Sequence, residues 1–229
     1  MYNRQLIEAD ERKLYFGSYE CLNTAAAGCI TGEGAFLSNA GQDTRQEIIT
    51  VAMRYFSAME YPMVNMEEIA RDAHITRAPL YYYFRNKEGL YRAVVETSLA
   101  NAKEQMESIL NADENTFGII QKEYDCCVHE LGKYRKIWYP DPGAPDCQEQ
   151  IRDFFQWLVN RKLEILSAAQ RRGELSTDCD VSEIVTFIYV FYNGVLDICK
   201  EADVLSGFNH RLLENSVEWF MQMIYSRFG

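Results

Sequence analysis

The run Ile69-Ala70-Arg71-Asp72-Ala73-His74-Ile75-Thr76-Arg77-Ala78-Pro79-Leu80-Tyr81-Tyr82-Tyr83-Phe84-Arg85-Asn86-Lys87-Glu88-Gly89-Leu90 sets the fold of this chain. Asn65, with Glu68 three residues later, opens a helix that carries Ile69 and Ala70 and ends near Ala73. His74-Ile75-Thr76 breaks it, and Thr76 caps a second short helix through Tyr83. Pro79 then falls in the first turn, where a missing backbone N–H does little harm. Short helix, tight break, short helix is the outline of a helix-turn-helix DNA reader. Tyr81-Tyr82-Tyr83 spans about 200° of a helix, so the three rings cannot all face a core.

Outward from this run the pattern stays helical. Ile48, Ile49, Ala52, Tyr55 and Phe56 share one face of a helix over about 45–59, capped by Thr44 with Glu47. Asn86 caps a long helix from Lys87 to about Leu110, with Leu90, Val94, Thr97, Ala102, Met106 and Leu110 inward. A stripe of Phe117, Ile120, Tyr124, Val128 and Leu131 predicts a helix over 116–131. A proline-rich loop (Pro140, Pro142, Pro145) follows, and Asp146 with Glu149 starts a helix through Ile151, Phe154, Phe155, Leu158, Ile165 and Leu166 to about Arg172, ended by Gly173. Asp180 caps a helix over about 181–200, and a last one covers about 210–228. Val185, Phe187, Ile188, Tyr189, Val190, Phe191 and Val195 leave the penultimate helix almost no polar face. Such a helix is buried all round, either as the centre of its domain or between its own core and a second subunit. No strand-like alternation of useful length occurs, and the expected fold is all-α.

Composition narrows the classes. The chain has 229 residues, 48% hydrophobic and 25% charged, with a formal charge of −11, as expected of a soluble globular protein. The acidic total argues against indiscriminate nucleic-acid binding. Residues 42–92, however, hold equal numbers of basic and acidic side chains, and the acidity is concentrated in 93–229. The most apolar stretch, Ile184–Cys199, contains Asn193 and Asp197 and is too short to span a membrane. The N-terminus has no signal-peptide core, and seven irregularly spaced cysteines read as reduced thiols, so the expected location is cytoplasmic. Residues 1–41 are glycine-rich toward their end and read as an extension, with a short helix near Gln5–Tyr15. The expected domains are therefore 1–41, an N-terminal extension, 42–92, a helix-turn-helix domain, and 93–229, a larger helical domain.

The run 69–90, with Thr44-Arg45-x-x-Ile48-Ile49-x-x-Ala52-x-x-x-Phe56 before it, resembles the signature of the TetR family of transcriptional regulators. The resemblance implies that Ile69, Ala70, Ile75, Leu80 and Phe84 pack the two reader helices. It implies that Tyr81 and Lys87 bind phosphate, and that Thr76, Arg77, Ala78, Pro79 and Tyr82 enter the major groove. Thr44, Arg45 and Asn65 would sit at helix starts facing the sugar-phosphate backbone. Three positions depart from the family pattern: His74 stands where glycine is usual in the turn, Glu60 replaces a glycine, and Ala78-Pro79 replaces a Gly-Thr-like pair. A left-handed residue at His74 costs a non-glycine something, though histidine tolerates that region better than most.

The resemblance also implies a homodimer paired through the last two helices, a palindromic double-stranded DNA operator, and release of a repressor by a small-molecule effector held in the helical domain. Tyr124, Trp138, Trp157, Tyr192 and Asn193 are the expected lining for an aromatic or hydrophobic effector, and the acidic domain favours a cationic or neutral one. No catalytic motif is present, so neither an enzyme nor a cofactor is expected. Cys126-Cys127-x-His129 makes a poor metal site, because adjacent helical cysteines diverge by about 100°. Two alternatives stay open: a thiol sensor using Cys126, Cys127 or Cys199 on the same reader, and a helical protein-interaction module with a vestigial reader.

Overall fold

A computed structural model describes residues 36–139, 143–201 and 210–228, with side chains from 43 to 195 (129 and 140–142 apart) and from 218 to 228. The chain divides into two units, Met1–Ala40 and Gly41–Gly229, and the second is described below. The helix expected near Gln5–Tyr15 lies outside the described residues. Among the described residues every element is helical: α1 (Phe36–Ala58), α2 (Met66–Asp72), α3 (Arg77–Phe84), α4 (Lys87–Leu110), α5 (Thr116–Asp125), α6 (Arg135–Trp138), α7 (Gln148–Arg172), α8 (Val181–Glu201) and α9 (His210–Phe228).

Local signals set most of these ends. Asn65 Oδ1 accepts from Glu67 N at 2.8 Å to cap α2, Asn86 Oδ1 from Gly89 N at 2.8 Å to cap α4, and Asn115 Oδ1 from Gly118 N at 2.9 Å to cap α5. At the end of α2, His74 N donates to Arg71 O and Ile75 N to Ala70 O, both at 3.0 Å. That bond pair places the first of the two donors in the left-handed region, and His74 has φ 54°. Gly173, φ 77°, ends α7 with the same bonding, to Gln170 and Ala169.

Two ends differ from the sequence reading. Helix α1 continues back to Phe36, so Thr44 is an interior residue and not a cap. One interior glycine costs a helix about 1 kcal/mol, which does not stop it. The stripe 117–131 is interrupted as well: after α5 the backbone widens into a π turn over Cys126–Leu131 and tightens into a 3₁₀ turn over Gly132–Tyr134. The π turn re-aims the side chains that follow it. Phe117, Ile120 and Tyr124 pack with α8 and α9, whereas Leu131 joins the core of α1–α4.

Two buried cores result. One joins Ile48, Phe56, Ile69 and Leu80 to Val94, Met106, Ile137, Ile151 and Leu158. The other joins Phe117, Leu166, Ile184, Ile188, Phe220 and Ile224. The expected boundary at 92/93 falls inside α4, and both sides of it feed the first core. Helix α8 is not buried all round in the single chain, because Val190 is 64% exposed and Gly194 is exposed too. Trp219 on α9 is 59% exposed.

Candidate nucleic-acid interface and helical cavity

Helix α3 turns Leu80 and Phe84 into the core, which leaves Thr76, Arg77, Ala78 and Tyr82 outside, with Pro79 and Tyr81 half-buried. Tyr82 is 81% exposed, its ring edge-on to Tyr83 at 5.2 Å. Thr76 occupies the N-cap of α3 and its hydroxyl makes no capping bond. The α2–α3 pair is pinned to α1 by Tyr55, whose hydroxyl donates to Asp72 Oδ2 at 2.7 Å and holds that carboxyl below its ordinary range.

The charged residues are already engaged within the chain. Arg77 Nη1 lies 2.9 Å from Glu67 Oε1, and its guanidinium stands 5.2 Å from the Tyr81 ring centre. Both partners of the ion pair are well exposed, so water competes strongly and the pair opens at little cost. Arg45 is exposed and stacks 5.3 Å from the Phe84 ring. Thr44 and Arg45 are carried by the middle of α1, which corrects the expectation that they begin a helix. Asn65 does begin one, and spends its side-chain oxygen on the cap.

Lys87 departs most from its expected role. Its Nζ donates to Tyr61 O at 2.8 Å, Pro62 O at 3.2 Å and Val64 O at 2.9 Å, and lies 4.6 Å from the Tyr61 ring centre. An ammonium has three donors, and all three are spent on the 61–64 turn, while burial pushes its pKa down. In this arrangement Lys87 clamps the turn that leads into α2, and a phosphate would have to displace a carbonyl.

A cavity of about 60 Å³ lies between the π turn, α6, α7 and α8. Of the expected lining, Trp138, Tyr192 and Asn193 face it. Tyr124 does not: its ring packs on Tyr192 and Phe191, with centres 5.4 and 6.0 Å away. Trp157 also stays outside, packing on Phe154 at 5.9 Å beneath Lys103 at 5.0 Å. The sequence reading missed Arg135, Phe154, Phe155, Leu158 and Lys162 as lining. A signal for Lys162 was present, since it sits four residues after Leu158 and three before Ile165 on the apolar stripe of α7. The lining also reverses the lean toward a cationic effector: it carries Arg135 and Lys162 and no carboxylate.

Helix α6 connects this cavity to the reader. Arg135 and Trp138 line the cavity, while Lys136 Nζ donates to Ala58 O at the end of α1 (3.0 Å). Tyr91 of α4 donates its hydroxyl to Ile137 O at 2.7 Å, and Trp138 Nε1 donates to Ser98 Oγ at 2.9 Å. The thiols are poorly placed for redox chemistry. Burial is the main cause that raises Cys126 to about 11 and Cys127 higher still, which suppresses the reactive thiolate. Cys199 lies outside the described side chains. Among the described residues no three metal-ligating side chains converge, and no helix is long and apolar enough to cross a membrane.

Comparison with known proteins agrees with this geometry. Residues 48–94 match the family of bacterial regulatory proteins described as the tetR family. The HTH-type transcriptional regulator AcrR of Shigella flexneri is 38% identical over 63 residues, 28% of this chain but only 29% of that protein. The HTH-type negative transcriptional regulator IcaR of the Staphylococcus epidermidis biofilm operon icaADBC is 24% identical over 187 residues, 80% of this chain and 95% of that one. A TetR transcriptional regulator from Chloroflexus aurantiacus shares the fold, with TM-score 0.69 and 16% identity over 83% of this chain and 98% of that one. Residues 48–94 thus match the tetR family of bacterial regulatory proteins, and the fold is shared with a TetR transcriptional regulator across most of its length.

Proposed function

We propose that the protein is a homodimeric repressor that binds a palindromic operator through α3 and is released by a small molecule in the helical cavity. Helix α6 carries this reading, because its four residues supply cavity wall on one side and hold α1 and α4 on the other. A ligand that shifts the backbone of α6 through Arg135 or Trp138 shifts Lys136 and Ile137 with it. Typical coupling of about 1–3 kcal/mol changes operator occupancy several-fold or more.

On the DNA side, Thr76, Arg77, Ala78, Pro79 and Tyr82 form the groove-facing surface and Tyr81 a phosphate contact. Arg77, once freed from Glu67, suits guanine O6 and N7. Thr44, Arg45 and Asn65 flank that surface, and Lys87 acts by positioning. The two-fold partner covers the apolar surface left by Val190 on α8 and Trp219 and Met223 on α9, which is expensive to leave in water. The thiol-sensor alternative gains no support from the half-buried Cys126 and Cys127, and the proposal contains no catalytic step. Its test is fluorescence anisotropy of the full chain on DNA tiled from upstream of its own gene. Retention of one fragment against excess competitor supports the reading, and uniform weak binding refutes it.

A further inference from the structure

Lys162 is the least expected residue in the second half of the chain. It lies on the buried face of α7, with its side chain 5% exposed, and Glu123 beside it is 2% exposed. The ammonium lies 2.7 Å from Glu123 Oε1, but off the angle that a directed hydrogen bond needs, so that oxygen accepts from no donor. The ammonium's remaining surroundings are apolar or spent: the Tyr192 ring lies 5.2 Å away, and the Tyr192 hydroxyl donates to Ile120 O. A buried ion pair costs desolvation that imperfect geometry does not repay, and apolar residues in its place are often as stable. Fold stability therefore gives a poor reason for keeping it.

The two charges share one space, but only Lys162 reaches the other. Lys162 lines the 60 Å³ cavity and also a smaller one of about 10 Å³, whereas Glu123 lines only the smaller. A molecule in the larger cavity thus meets the cation with the carboxylate behind it. It also meets a second cation, Arg135, and apolar walls from Trp138, Phe154, Phe155 and Leu158. We propose that the cavity takes an organic carboxylate with an apolar body, its head group received by Lys162 and its body held among those aromatic walls. This inference rests on the effector cavity proposed above. About 60 Å³ holds water but not a ring-bearing acid, so binding must part the walls. Phe155 and Tyr189, edge to face at 6.3 Å with Tyr189 partly exposed, are placed to yield.

The test uses two probes of one shape, 2-naphthoate and its uncharged amide 2-naphthamide, titrated into the full chain by calorimetry and by quenching of tryptophan fluorescence. The wild-type protein should bind the acid roughly tenfold more tightly than the amide, the ratio expected of one added hydrogen bond to a charged group. The double variant Lys162→Met/Glu123→Leu, which removes both charges together, should bind the two equally. Glu123→Gln alone should strengthen naphthoate binding several-fold by removing the competing carboxylate, and this variant decides the matter if the double variant fails to fold. Equal wild-type affinities, a preference that survives the double variant, or unchanged naphthoate binding in Glu123→Gln would each overturn the assignment while leaving the cavity a ligand site. If neither probe binds, the effector cavity itself falls, and this assignment with it.

Discussion

Replacing Lys87 by methionine separates a clamp from a phosphate contact. Methionine keeps most of the aliphatic stem against Tyr61 but removes three charge-assisted bonds to the carbonyls of Tyr61, Pro62 and Val64. Hydrogen bonds to charged groups contribute about 1.5–3 kcal/mol each, and less where water can replace the partner. Pro62 is exposed, Tyr61 half-buried and Val64 buried, so the three together stabilise the fold by about 2–4 kcal/mol. For a chain of this size each kcal/mol moves Tm by about 2–4 °C, which sets the expected fall at about 5–15 °C. The assay pairs thermal unfolding by circular dichroism with DNA-binding anisotropy over a salt series. Each lost phosphate contact would flatten the slope of log K against log salt by about 0.9, and a clamp leaves that slope unchanged in the protein that remains folded. An unchanged Tm with a slope flatter by one contact per protomer would refute the clamp and restore Lys87 as a DNA ligand.

Other expectations follow from the same structure. His74→Gly should raise stability by about 0.5–1 kcal/mol, because glycine occupies φ 54° without strain, whereas His74→Val should lower it by more; denaturant midpoints at constant m-value read both, and loss of stability in His74→Gly would contradict the turn geometry. Glu67→Gln should strengthen binding to DNA several-fold at low salt, since it frees Arg77 and removes a negative charge beside α3; unchanged anisotropy titrations would show that this face does not meet DNA. Glu174 accepts from Arg172 Nε and from Thr116 N and Oγ1, and these bonds, with that of Arg172 foremost, hold its carboxyl at about 2. A folded-state pKa below the unfolded one gives stability that is present above the unfolded value, near pH 4.5, and is lost as pH falls toward 2. Glu174→Gln should therefore be less stable at neutral pH and lose less stability on acidification across that window, as chemical denaturation at several pH values would reveal.

What was legible in the sequence had a local cause. Asn65, Asn86 and Gly173 act within four residues of themselves, and the sequence reading of α4, α7 and α9 falls within two residues of the observed bounds. The left-handed turn at His74 was legible only through the resemblance, which puts a glycine at that position. Non-local causes were invisible. Lys87 finds its carbonyls only because the 61–64 turn folds back across the start of α4, 23 to 26 residues away in sequence. The π turn at 126–131 follows no composition signal, and it separates Tyr124 from Leu131 on what reads as one stripe. Cavity lining was half legible for a related reason. Large aromatics on α5–α8 were expected to line it, but which of them face space and which face each other depends on the spacing between helices. Lys162 was missed although its signal was local, a charge on the apolar stripe of α7.

The most direct test of the central claim is hydroxyl-radical footprinting of the full-length chain on the fragment it retains, with binding stoichiometry measured on the same DNA. Two protomers per site, with protections centred on two major-groove faces about 34 Å apart on one side of the duplex, are what a symmetric pair of α3 readers requires. A single protected segment, or protection that follows DNA length and not sequence, would contradict it.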